Sequence, residues 1–195
     1  MASVVLFHSV LGRRPAVVTA ADRIRDAGHT VIAPDLYAGQ VTQTADEGFT
    51  LCDRIGWPVI LGRARLALAG MPAGTVLAGL SMGASVAAAL LGERPRTAGL
   101  LLLHNTGGGD AAAVRPGLPM QLHIADPDVY QAPAEVAAWQ QDVSDAGAAV
   151  QVFRYPGAGH LFTDPSLPDH DTQFATLAWE RSLSFLSELS AESPD

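Results

Sequence analysis

The sequence of 195 residues contains no lysine. All 12 of its basic residues are arginines, set against 20 acidic residues for a formal net charge of -8. That balance excludes a nucleic-acid binder, which needs clustered cations to hold phosphates. Among the close basic pairs, Arg13 with Arg14 and Arg63 with Arg65 each read as part of a solvated face. A single cysteine, Cys52, excludes an internal disulfide and fits a reducing compartment. No basic leader precedes Val4-Val5-Leu6-Phe7, and the apolar runs are short or broken by Gly, Pro or charge. Neither a secretory signal nor a membrane span is expected, so the expected location is the cytoplasm. No H-E-x-x-H and no closely spaced Cys/His set is present, so no metal site is expected. The first apolar run leads into Ser9-Val10-Leu11-Gly12-Arg13, which lacks the glycine fingerprint that cradles a pyrophosphate.

What remains is a chain with 48% hydrophobic and 16% charged residues, long enough to bury a core as one domain. Short apolar runs at Ser3–Phe7, Thr30–Ala33, Thr75–Gly79, Gly99–Leu103, Gln121–Ala125 and Val150–Tyr155 read as strands. They are apolar on both faces, as parallel strands covered by helices require. Between them, helices are predicted at Pro15–Ala27, Val59–Ala69, Met82–Leu91, Ala134–Ala146 and Asp171–Leu189, with a weaker one at Ala45–Arg54. The fold class is therefore α/β: a single domain over 1–190, with a mostly parallel, doubly wound sheet of about six strands and helices on both faces. Ala191–Asp195 reads as a frayed tail, and Gly107–Pro119 as a loop at the ligand-binding edge of the sheet.

Gly79-Leu80-Ser81-Met82-Gly83 fits G-x-S-x-G between a strand and an Ala-rich helix. The turn from strand to helix is sharp, and side chains two residues either side of the serine would collide, hence glycine at both places. Ser81 is left at a helix N-terminus, where developing negative charge is favoured. A serine hydroxyl needs a base, and the base needs an acid to fix its tautomer. His160 follows the last predicted strand in Pro156-Gly157-Ala158-Gly159-His160, where small neighbours allow close approach. Asp126 and Asp128, after the fifth strand, are both candidates for the acid. The backbone N–H groups of Val10 and Met82 are the candidate oxyanion donors. His8 and Ser9 are candidate pocket residues at the end of the first strand. His29, His104 and His123 suit structural roles, and His170 reads as a surface residue.

These residues resemble the dienelactone hydrolase family of α/β-hydrolases. The resemblance rests on His8-Ser9-Val10-Leu11-Gly12, Ala33-Pro34-Asp35-Leu36-Tyr37, the Ser81 elbow, the Asp128 segment and Gly157-Ala158-Gly159-His160-Leu161-Phe162. It implies strand order 2-1-3-4-5-6, a Ser81–His160–Asp128 triad and hydrolysis of a small ester, lactone or thioester through an acyl-enzyme, with no cofactor. The partner implied is a small-molecule acyl substrate, with no nucleic acid and no membrane; the oligomeric state is left open. An acyltransferase on the same triad and a non-catalytic ligand-binding protein on this fold are the alternatives. Three departures stand out. Founding members carry a nucleophilic Cys where this chain has Ser81, a Glu matching Ser9, and a carboxylate-binding Arg where Asp164 stands. The first strands of a full-length hydrolase sheet are also missing.

Overall fold

The computed structural model describes residues 1–191. Its central strand explains the rest. β3 (Val76–Leu80) is buried along its whole length and pairs in parallel with β1 (Ser3–Phe7) on one side and β4 (Leu100–Leu103) on the other. β2 (Thr30–Ile32), β5 (Pro119–Asp126) and β6 (Ala149–Pro156) complete a six-stranded parallel sheet in the order β2-β1-β3-β4-β5-β6. This is the expected order. β6 departs from the expected two-faced burial: it is an edge strand, and alternate residues along its first half stay exposed or half-exposed.

Successive residues of each inner strand face opposite sides, and each side has its own core. Val5, Phe7, Leu77, Leu100, Leu102, Leu122 and Ile124 pack with helices α3 (Trp57–Leu68), α4 (Met82–Ala89) and α5 (Pro133–Asp145). Val4, Leu6, Val76, Ala78, Leu80, Leu101 and Leu103 pack against α1 (Pro15–Asp26) and α6 (Thr172–Ala191). This is a single doubly wound α/β domain. Among the described residues, no helix is long and apolar enough to cross a membrane.

Most predicted boundaries shift by one or two residues, because helix and strand ends fray and polar caps move them. α2 (Ala45–Ile55), predicted as the weaker helix, is a full one. Thr44 Oγ accepts the Glu47 N–H and the Glu47 carboxylate accepts the Thr44 N–H, closing a capping box. The expected tail at 191–195 lies outside the described residues save for Ala191, which ends α6. The loop after β4 packs along the first turns of α4. Gly107 backs onto the Ala84 carbonyl and Ala88 of α4, and 111–113 form one 3-10 turn. The expectation of solvated arginine pairs also fails for Arg14, which is buried and donates from Nη2 to Ser166 Oγ at 2.8 Å.

One polar inclusion sits between β5, β6 and α6. His123 is fully buried, with Nδ1 2.7 Å from the Tyr155 hydroxyl and Nε2 2.8 Å from Gln121 Oε1. Burial, and next the nearby Arg181 cation, push its pKa from the ordinary 6.5 down to about 3. The unfolded chain therefore takes up this proton where the folded chain does not. His123 contributes stability that is fully present above the ordinary histidine pKa and is lost as pH falls toward 3. Urea titrations at steps from pH 7 to pH 4 should show a shallower loss of stability for His123→Gln than for the parent; equal slopes would contradict the assignment.

Candidate active site

The strand-to-helix turn after β3 is as crowded as the glycine pattern requires. A Cβ at Gly79 would lie 2.1 Å from the carbonyl of Gly83, and a Cβ at Gly83 would lie 2.1 Å from the Phe7 carbonyl oxygen at the end of β1. Ser81 between them takes φ 51° and ψ -110°, a conformation costing a non-glycine residue about 1–3 kcal/mol. It caps α4, and its Oγ lies 2.9 Å from His160 Nε2.

His160 Nδ1 lies 2.7 Å from Asp128 Oδ2. A carboxylate only accepts, so Nδ1 carries the proton and Nε2 is the free acceptor for the Ser81 hydroxyl. Asp128 Oδ1 accepts the Tyr130 N–H at 2.8 Å, which holds the carboxylate in place. Of the two acid candidates, Asp128 reaches His160, whereas Asp126 ends β5 and takes the Gly157 N–H on its backbone carbonyl. All three side chains of the Ser81–His160–Asp128 chain are buried at the C-terminal edge of the sheet.

The loop carrying His160 is tied down at several points. Asp169 accepts the Leu161 N–H, and a Cβ on Gly159 would lie 2.8 Å from the Asp169 Cβ. His170 is half-buried rather than at the surface, and its Nδ1 donates to the Phe162 carbonyl at 3.0 Å. His104, at the end of β4 with φ 70°, places Nε2 2.7 Å from Thr163 Oγ1. Its burial, then the neighbouring imidazoles of His160 and His123, hold its pKa well below the ordinary range, so it serves as a neutral hydrogen-bonding strut.

The loop after β1 lies against the start of α4. Among the described residues, neither the Val10 N–H nor the Met82 N–H donates a hydrogen bond within the protein. His8 is fully buried. Its Nε2 accepts the Leu36 N–H at 3.0 Å, so the Nδ1 proton is free to donate to the Ser9 carbonyl at 2.7 Å. The Gly12 N–H reaches the same carbonyl at 3.1 Å, so the plane of the Ser9–Val10 peptide is held from two sides. Ser9 lines a cavity of about 130 Å³ with Arg14, His104 and Thr163, between α1, α6 and the loop after His160. Asp164 borders it too, with Oδ2 3.9 Å from Arg14 Nη1.

Several site residues were not singled out from the sequence. Tyr37 is buried and donates its hydroxyl to Met82 Sδ at 3.1 Å, bracing the residue after the nucleophile. Gly48 of α2 sits where a Cβ would lie 2.7 Å from the Val10 carbonyl oxygen, so α2 presses directly on the loop. Tyr130 sets its ring edge-on to His160 at 4.7 Å. The Pro-Asp-Leu-Tyr segment carried a signal for Tyr37; Gly48 carried none.

Residues 1–190 match the model of the dienelactone hydrolase family. The chain belongs to that family, and so to the α/β-hydrolases that cleave ester bonds. No curated protein sequence matches it. Among solved structures it is similar to a Klebsiella pneumoniae subsp. pneumoniae MGH 78578 protein assigned to the dienelactone hydrolases. That pair has TM-score 0.78 and 16% identity over 95% of this chain and 86% of the other. It is similar to a dienelactone hydrolase-like promiscuous phosphotriesterase from metagenomic libraries, with TM-score 0.78 and 21% identity over 97% and 87% of the two chains. It also resembles Est1E of Butyrivibrio proteoclasticus, solved with ferulic acid, with TM-score 0.69 and 13% identity over 98% and 90%. At these identities the structural likenesses establish the fold alone.

The elbow geometry makes a stability prediction with an internal control. Gly83→Ala forces backbone apart and should cost more than about 3 kcal/mol or prevent folding. Gly62, inside α3 with no atom within 4 Å of a would-be Cβ, should instead gain roughly 0.5–1 kcal/mol as Gly62→Ala. Urea denaturation of both variants measures the contrast, and equal effects would contradict the crowding.

Proposed function

We propose that the protein is a serine esterase acting on a small ester, with Ser81 as nucleophile, His160 as general base and Asp128 as the group that holds the imidazole. The observation that carries this reading is the continuous hydrogen-bonded chain from Ser81 Oγ through His160 to Asp128. His160 Nε2 takes the Ser81 proton as Oγ attacks the acyl carbon. The carbonyl oxygen gains negative charge, and the Val10 and Met82 N–H groups are the free donors beside it, at the positive end of α4. The intermediate collapses as the His160 proton passes to the leaving alkoxide, which departs as alcohol and leaves an acyl-Ser81 ester. Water then gives a proton to Nε2 and attacks that ester. Collapse returns the proton to Oγ and releases the carboxylic acid, which ionises.

The alternative nucleophile is Cys52. Its thiol is half-buried, and burial raises its pKa; the Tyr37 hydrogen bond lowers it and Asp53 raises it further, for a net upward shift. Little thiolate forms there. Ser81→Ala is therefore expected to cut ester turnover by about 10⁴-fold or more. A fluorophosphonate probe should label Ser81, while Cys52→Ala keeps the parent rate. Turnover that survives Ser81→Ala and disappears in Cys52→Ala would reverse the assignment.

His8 acts at one remove, by holding the Ser9–Val10 peptide. His8→Ala should lower kcat roughly tenfold to a hundredfold with KM little changed, because the donor it aims is needed most when charge develops. His8→Asn places an amide N–H near the lost Nδ1–H and should recover much of that rate. Steady-state kinetics on both variants decide the matter: equal loss in the two, with KM rising, would reduce His8 to a packing role.

A further inference from the structure

Eight large apolar side chains stand exposed among the described residues, and three of them, Phe49, Val129 and Tyr130, flank the Ser81 site. Phe49 and Tyr130 are each about half exposed and meet edge-on, with centroids 5.6 Å apart. They come from different segments. Phe49 is carried by α2, whose Gly48 presses on the Val10 carbonyl. Tyr130 lies against the His160 ring, with its N–H on Asp128. The touching rings thus join the helix behind the Val10 loop to the loop of His160's partner acid. Isolated exposed apolar residues carry no message, but a touching aromatic pair beside a nucleophile is a surface waiting for an apolar ligand.

The charges point the same way. Besides burial, the groups felt most strongly by the Tyr130 phenol are the carboxylates of Asp46, Asp169 and Asp128, which push its pKa up. Arg14 lines the cavity between α1 and α6, with Asp164 beside it. An anionic substrate would meet carboxylates beside the Tyr130 ring.

We infer that Phe49 and Tyr130 form the platform that selects an uncharged ester bearing an aromatic ring, in preference to a substrate that carries its own carboxylate. The inference rests on the reading of Ser81 as the nucleophile. The substrate ring packs on the exposed ring faces, displacing water from all three rings, while its ester carbonyl reaches Ser81.

The test uses methyl phenylacetate, methyl butyrate and the monoanion of monomethyl succinate, with acid release followed at constant pH. The parent should favour phenylacetate over butyrate by about tenfold in kcat/KM, the factor that one good aromatic contact supplies. It should turn over the succinate monoester least. Phe49→Ala and Tyr130→Ala should each collapse the phenylacetate-to-butyrate ratio chiefly through KM, and Tyr130→Phe should preserve it. Preference for the succinate monoester, or a ratio unmoved by both alanine variants, would overturn the platform. Binding of methyl phenylacetate to Ser81→Ala, observed by ligand NMR, separates the two readings. Binding that depends on Phe49, in a protein whose parent hydrolyses none of these esters, would keep the platform and reject the esterase. Binding indifferent to both rings would reject the platform alone.

Discussion

The contact on which the site depends is between two backbones: the Phe7 carbonyl at the end of β1 and Gly83 in the first turn of α4. With 2.1 Å between that oxygen and a would-be Cβ, nothing larger than hydrogen fits. This approach draws α4 over the sheet edge and forces Ser81 into its strained conformation. It also brings the residues that follow Phe7, from His8 to Val10, beside Met82. The geometry of Ser81 and the placing of the Val10 and Met82 N–H groups are therefore consequences of one packing constraint. The local strain, of order 1–3 kcal/mol, is offset by the fully buried strands β3 and β4.

Around that contact, buried hydrogen bonds set direction where packing alone would leave freedom. Aromatic and aliphatic contacts keep a side chain in place but tolerate rotation of a ring or a peptide plane. His160 is oriented by Asp128, Asp128 by the Tyr130 N–H, and the Ser9 carbonyl by His8 and Gly12. The Asp128 carboxylate and the Ser9 carbonyl each have their donors, which offsets the cost of burying them. His8 and His104 are kept neutral by burial, which removes stray positive charge from the surroundings of the His160 imidazole.

Much of this was legible in the sequence for a plain reason. Inner parallel strands must be apolar on both faces, and a sharp strand–helix turn must carry glycine at fixed spacing, so both leave one-dimensional marks. The doubly wound sheet, the elbow and the loop position of His160 follow from such marks. The strand order came from family resemblance, since hydrogen-bonding neighbours 20 to 70 residues apart leave no local trace. Gly48 looks like a weak spot in a helix, and only the approach of Val10 explains it. Arg14 looks like half of a solvated basic pair, yet its partners Ser166 and Asp164 lie some 150 residues away in the chain. α2 was underrated although Thr44-Ala45-Asp46-Glu47 spells a capping box, because its apolar stripe is thin; only Gly48 and Leu51 are buried.

The same distinction bears on what the family resemblance carries over. Backbone demands transfer with the fold: two glycines, a strained nucleophile, a base on a short loop. Charge recognition does not, because it sits on exposed loop positions that can change without disturbing those demands. At the position matched to a carboxylate-binding arginine, this chain has Asp164, and the buried cation beside it, Arg14, comes from the turn before α1. The pair gives the His160 loop a salt link to the N-terminus of α1, with the carboxylate on the His160 loop and the guanidinium just before α1. A substrate carboxylate placed there would compete with Asp164 for Arg14 rather than find a free cation. The chemistry of the Ser81 elbow can thus persist while the charge of its substrate changes, and the residues that decide that charge lie outside the motifs that define the family.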